Sequence, residues 1–151
     1  MRCSTFHYQL ETVLNHRKLM EEAEQLGLAR ISHDLARQGE VLESQVNQHR
    51  ALSEELAHKE RTHFDIHESG LYREFLGILE REIEATVARI KRLEQEFIRK
   101  REELVRATRN RKVLDTHKDR EYSRFTYEEE RAEQKRIDEM TSIRQRPGGD
   151  E

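Results

Sequence analysis

Histidine and carboxylate side chains are the groups in this 151-residue chain whose types and spacing could do chemistry. His63 and His67 stand four apart, with Asp65 and Glu68 beside them. On a helix, side chains four apart share a face, so the two imidazoles would offer two ligands to one ion. Two ligands make an incomplete site, and both residues fall in a segment that reads as a bend. Polar residues at a hairpin tip are the plainer reading, and no metal site is assigned. The remaining histidines are scattered. Carboxylates are abundant, as in Glu128-Glu129-Glu130, but acid–base catalysis needs a cleft that excludes water and shifts pKa values. No GxxxxGK(S/T), GxGxxG, HExxH or GxSxG pattern occurs. Cys3 is the only cysteine, which excludes an intrachain disulfide and a cysteine-based zinc site. No catalytic residue and no cofactor is expected, and the chain does not read as an enzyme.

The elements that would position any site follow from composition. Charged residues make up 39% and hydrophobic ones 34%, with one proline, six glycines and no tryptophan. Mean hydropathy is -1.05. A compact domain of this length carries about 45–50% apolar residues, so a thick core is excluded. Scarce proline and glycine argue against a fold with many turns. Helix formers dominate, which favours long helices sharing a narrow seam over disorder. The 28 basic and 31 acidic residues give a net charge of -3 and a pI near 6.3, unlike a nucleic-acid-binding domain. No apolar run is long enough to span a bilayer. The start, MRCSTFHYQLETVL, lacks the apolar stretch of a signal peptide. A soluble intracellular protein is the default expectation.

A 4-3 spacing runs from Tyr72 through Leu76, Leu79, Ile83, Thr86, Ile90, Leu93, Phe97, Lys100, Leu104, Ala107 and Arg111 to Leu114. Ten of these 13 positions are apolar, which meets the heptad criterion for a coiled coil. Tyr122, Phe125, Ala132, Ile137, Met140 and Ile143 continue the stripe less regularly. The first half is weaker: Phe6, Leu10, Val13, Met20, Leu28, Ile31, Leu35, Leu42, Leu52 and Leu56, with polar residues at Arg17, Glu24, Gln38, Gln45 and His49. Its register slips between Met20 and Leu28, around Gly27, as a stutter would.

The expected architecture is all-α: two long helices forming one antiparallel coiled-coil hairpin. Helix 1 covers about 5–61, a bend 62–70, helix 2 about 71–144, and a disordered tail 145–151. Ser69-Gly70 is taken as the helix-stopping signal. Paired positions then sum to about 134, which sets Glu24 against Arg111. At 1.5 Å per residue the helices would run roughly 85 and 110 Å, and residues beyond about 129 would lack a partner. Two surfaces look made for partners. One is the cluster Leu71, Tyr72, Phe75, Leu76, Ile78 and Leu79, which is wider than one stripe. Packing against Phe64 and Ile66 is the alternative reading for part of it. The other is the overhang with Ile137, Met140 and Ile143. The basic stretch Arg99 to Lys112, seven basic and two acidic residues, reads as a solvated flank, since no aromatic residues interleave it.

These residues resemble a family. The start FHYQLETVLNHRKLMEEAE is similar to the entry of FliJ proteins of the flagellar type III export apparatus. LYREFLGILEREIE resembles that family's aromatic-rich second-helix start, and RKREELVRATRNRKVLDTHKDRE its basic mid-helix stretch. AEQKRIDEMTSIRQRP matches its QK-x-x-DE ending at Gln134, Lys135, Asp138 and Glu139. The resemblance implies a stalk-like antiparallel hairpin that couples the hexameric export ATPase to the export gate membrane protein and escorts substrate chaperones. It implies a cytoplasmic protein held peripherally at the inner membrane through the apparatus, with no direct membrane insertion and no nucleic acid. Phe75 and Leu79 take the gate-binding places, and Tyr72 and Leu76 beside them are candidates for the same contact. Gln134, Lys135, Asp138, Glu139 and Met140 take the ATPase end. An injectisome stalk of the same architecture and a generic coiled-coil scaffold are the alternatives.

Overall fold

The computed structural model describes residues 5–63 and 65–144. The tail at 145–151 and any packing role of Phe64 lie outside the described residues. Two helices make up the chain: α1, Glu11–Thr62, and α2, Ile66–Arg144. They pack against each other in antiparallel sense, and no strand occurs among the described residues. The fold is all-α, as expected.

The connection differs from the expected nine-residue bend. α1 runs on to Thr62 and α2 already begins at Ile66. Asp65 ends the turn because its Oδ1 accepts from the amide of His67 at 2.9 Å and of Glu68 at 3.4 Å. These are orphan donors of the first helical turn, satisfied by an N-cap acid, and Glu68 stands three residues on, the spacing of a capping box. Ser69 and Gly70, read as a helix stop, are instead helical, and Ser69 is buried. Three further links hold the helices together beside the turn, one of them Arg73 donating to Glu60 at 2.8 Å. Lys59 pairs with Glu68, and the Tyr72 hydroxyl donates to Glu55 at 2.7 Å.

The short turn moves the register. Glu55–Tyr72, Lys59–Glu68 and Gln38–Arg89 each sum to 127, and His49–Glu80 to 129. The expected sum of 134 is therefore about six residues too large. Glu24 meets Lys100 rather than Arg111.

The chain divides into two compact units, each built from both helices: Met1–Glu21 with Arg106–Glu151, and Glu22–Val105. In the Glu22–Val105 unit, every α2 seam position from Tyr72 to Leu104 is shielded from solvent. The α1 side is Glu24, Leu28, Ile31, Leu35, Gln38, Leu42, Gln45, His49, Leu52, Leu56 and Lys59, in unbroken 4-3 spacing. In the other unit, Ala107, Arg111, Leu114 and Lys118 of α2 face inward. Leu14 and Glu21 are their buried α1 counterparts, while Leu10, Val13 and Met20 are exposed. Within the Glu22–Val105 unit the spacing Glu24, Leu28 and Ile31 passes Gly27 without a slip.

The start of α1 also differs from expectation. Residues 5–8 are not helical, and a turn at Gln9-Leu10 leads into Glu11. This lets two residues, which a helix would place about 200° apart, both pack on α2. Phe6 stacks edge-on with Tyr122 at 5.3 Å and lies 5.6 Å from Phe125. Tyr8 is buried beside His117.

Gly27 and Gly39 separate propensity from packing. A Cβ on Gly39 meets open space, whereas one on Gly27 would lie 2.6 Å from Lys100 Cε. Gly39→Ala should therefore stabilise by about 1 kcal/mol through helix propensity. Gly27→Ala should gain clearly less, since Lys100 must move off Glu24. Urea unfolding midpoints of the two variants check this ordering.

Candidate functional site

The apolar cluster after the turn divides in two by helical phase. Tyr72, Leu76 and Leu79 sit on the seam. Leu79 is 4% exposed and faces α1, so its side chain is core in this conformation. Tyr72 is half-buried, its hydroxyl on Glu55 and its ring 5.1 Å from Lys59 Nζ. The Glu55 hydrogen bond is the main reason its phenol is held above the usual range. Leu71, Phe75 and Ile78 lie off the seam and are exposed, at 67%, 49% and 40%. With Leu52 of α1, Tyr72 and Glu74 they line an open, mainly apolar groove in the Glu22–Val105 unit. Ile66, considered above as a packing partner, is 71% exposed and does not cover it.

The second surface belongs to the other unit. Beyond Thr126 every described side chain of α2 except Ala132 is exposed. Gln134, Lys135, Asp138, Glu139 and Met140 all face solvent there, with Gln134 Nε2 donating to Asp138 at 3.0 Å. Ile137, Met140 and Ile143 form an uncovered apolar stripe.

His63 has left the helix and His67 is in the first turn of α2, so they do not share a helical face. No three metal-ligating side chains come together among the described residues.

The charged seam positions are the main electrostatic feature, and reading apolar residues alone missed one of them. In the Met1–Glu21/Arg106–Glu151 unit, Glu21 is 8% exposed and accepts from Arg111 and from Thr108 at 2.8 Å. Arg111 also pairs with Asp115. In the Glu22–Val105 unit, Lys100 lies 2.7 Å from Glu24 and 3.0 Å from Glu103. The two carboxylates, Glu24 foremost, hold its ammonium above the usual range. Tyr8 was missed as well. Its hydroxyl lies 3.3 Å from the Leu114 carbonyl and 3.0 Å from His117 Nδ1. Burial first, then Glu11, pushes its phenol up.

The family model described as Flagellar FliJ protein matches residues 6–148. The chain belongs to the FliJ family. It is thus a flagellar export-related protein, a component of a kind that is not catalytic. No curated protein and no solved structure gives a significant match. No described helix is long and apolar enough to cross a membrane.

The buried acid gives a pH test. The Arg111 hydrogen bond, then that of Thr108, hold the Glu21 carboxyl below its ordinary 4.5. A depressed carboxylate adds stability that is fully present above the unfolded value and is lost as pH falls through the folded one. Stability should therefore drop below about pH 4.5. Glu21→Gln should lower stability at neutral pH and flatten that acid limb. Urea melts from pH 7 to 3 check this, and an unchanged limb would contradict the assignment.

Proposed function

We propose that this FliJ-family chain is the stalk-like coiled coil of a flagellar protein export apparatus. It couples the hexameric export ATPase to the export gate membrane protein and escorts substrate chaperones. The observation that carries this reading is the apolar groove of Leu52, Leu71, Phe75 and Ile78. It lies just after the turn, where the family resemblance puts the gate contact, and its exposed residues have no structural task on the seam. Contiguous exposed apolar surface of this kind marks partner sites.

Within this proposal the four gate residues divide their work. Phe75 touches the gate directly. Tyr72, Leu76 and Leu79 hold the helix face that presents it. On the other unit, Gln134, Lys135, Asp138, Glu139 and Met140 form the ATPase-facing surface, with Ile137 and Ile143 supplying apolar contact. The protein then works in the cytoplasm, held at the inner membrane through the apparatus and not by insertion. An injectisome stalk of the same architecture is the second reading, and the family assignment favours the flagellar one.

Two substitutions on neighbouring turns test the division. Phe75→Ala should weaken binding to the purified gate protein about tenfold and leave the helical circular dichroism signal unchanged. Leu79→Ala should instead destabilise the hairpin by about 2–3 kcal/mol, as loss of a buried leucine does. Equal binding by the Phe75 variant would remove the gate assignment. Removing residues 130–151 should abolish stimulation of the export ATPase while gate binding persists. Unaltered ATPase turnover would move that contact elsewhere on the chain.

A further inference from the structure

We infer that the outward face of α2 from Arg106 to Arg124 is a docking strip for an acidic helix of a partner protein. All of it lies in the Met1–Glu21/Arg106–Glu151 unit. It is separate from the groove and from the C-terminal surface above, and does not rest on the roles proposed for them.

Helical phase defines the strip. At 100° per residue, Arg106, Arg109, Lys112, Arg120 and Arg124 fall within about 60° of the Arg109 direction. Between positions 103 and 127 no aspartate or glutamate falls in that sector. Ala107, Arg111, Leu114 and Lys118, which face α1, point the opposite way. All five cations are exposed. Among the described residues Arg106, Arg109, Lys112 and Arg120 enter no ion pair within 4 Å, and Arg124 has only Glu128 at 3.4 Å. The inward cations of the same unit contrast with them, since Arg111 and Lys118 are both paired. Arg109, Lys112, Val113, Thr116, His117 and Arg120 line a shallow groove along this face.

Charge complementarity and width select the occupant. The strip carries five positive charges in a chain of net -3, which leaves -8 on everything else. Asp115, Asp119 and Glu121 flank it. Exposed charges are screened beyond about 10 Å. A ligand one helix wide senses the strip, whereas a membrane plane or a nucleic-acid duplex also meets the acidic flanks. Four of the five cations are arginines, whose planar forks bind carboxylates in bidentate fashion. Val113, 67% exposed at the centre, gives an apolar contact that a helix with a carboxylate stripe can use and a phosphate backbone cannot. The cations recur at three to eight residues, so carboxylates repeating every three or four residues on a partner helix can meet them in line.

The test uses the full chain and two synthetic alanine-rich helical peptides of one composition. One has its glutamates on a single face and the other has them spread around the helix. The single-face peptide should bind about tenfold more tightly, with affinity falling as salt rises. Arg109→Glu/Lys112→Glu/Arg120→Glu should lower that affinity at least about tenfold with helicity unchanged, and Arg109→Lys/Lys112→Arg/Arg120→Lys, which keeps the charge and loses two planar forks, should fall between that variant and the unaltered chain. Equal binding of the two peptides would overturn the proposal. So would an unaffected triple reversal, or tighter binding to phosphatidylglycerol vesicles or to duplex DNA than to the single-face peptide.

Discussion

Where α2 begins decides which residue of α1 each of its seam residues meets. That start is set by one carboxylate. Asp65 accepts from the amides of His67 and Glu68, and three residues suffice to reverse the chain. A helix started four residues later would carry nearly the same face to the partner helix, about one turn further along. Such an alternative is close in hydrophobic energy, because seam residues repeat. The cap and the braces Lys59–Glu68 and Tyr72–Glu55 therefore do what the apolar residues cannot: they choose among registers.

The charged seam positions make the same choice within each unit. Glu21 accepts from Arg111 and Thr108 in one, and Glu24 meets Lys100 in the other. A shift of one heptad would take each acid away from its cation and leave half-buried charges unpaired. Breaking such a pair costs more than the pair contributes, so the seam gains specificity even where its net stability is small. Gln45 shows the opposite case. Its Oε1 is buried and finds no hydrogen-bond partner among the described residues. Among the polar layers, those with opposed charges specify the pairing.

This division explains what could be read from the residues alone. All thirteen α2 seam positions were identified by spacing, including Thr86, Lys100 and Arg111, because ten apolar neighbours fix the phase. The α1 seam was harder. From Glu21 to His49 it mixes apolar residues with Glu, Gln and His, so following apolar residues leads through Val13 and Met20 to an apparent slip. Leu14 and Glu21 are the buried ones. The buried acid becomes intelligible only once Arg111 is placed beside it, and that is a fact of pairing rather than of α1. Tyr8 escaped because its backbone is not helical, so no helical period applies to it. The turn carries a usable signal in Asp65-x-x-Glu68, but Ser69-Gly70 is the more familiar helix-stopping punctuation. At the candidate site, Phe75 and Leu79 were grouped by resemblance. Their phases already separated them, since only Leu79 stands on the seam.

The same phase argument explains why a chain so poor in apolar residues leaves Leu71, Phe75 and Ile78 exposed. Two helices share one seam, and a residue more than about 60° from it has nothing to pack against. Covering these three would require a third helix, and every described helical segment is already one of the two. Substituting polar residues would have been the simpler solution for solubility alone, as it is along most of the outer surface of α2. Their retention beside Leu52 places apolar surface in a groove next to the capped turn. A contact made by side chains on already formed helices loses little backbone freedom on binding, so even a small apolar patch can supply useful affinity.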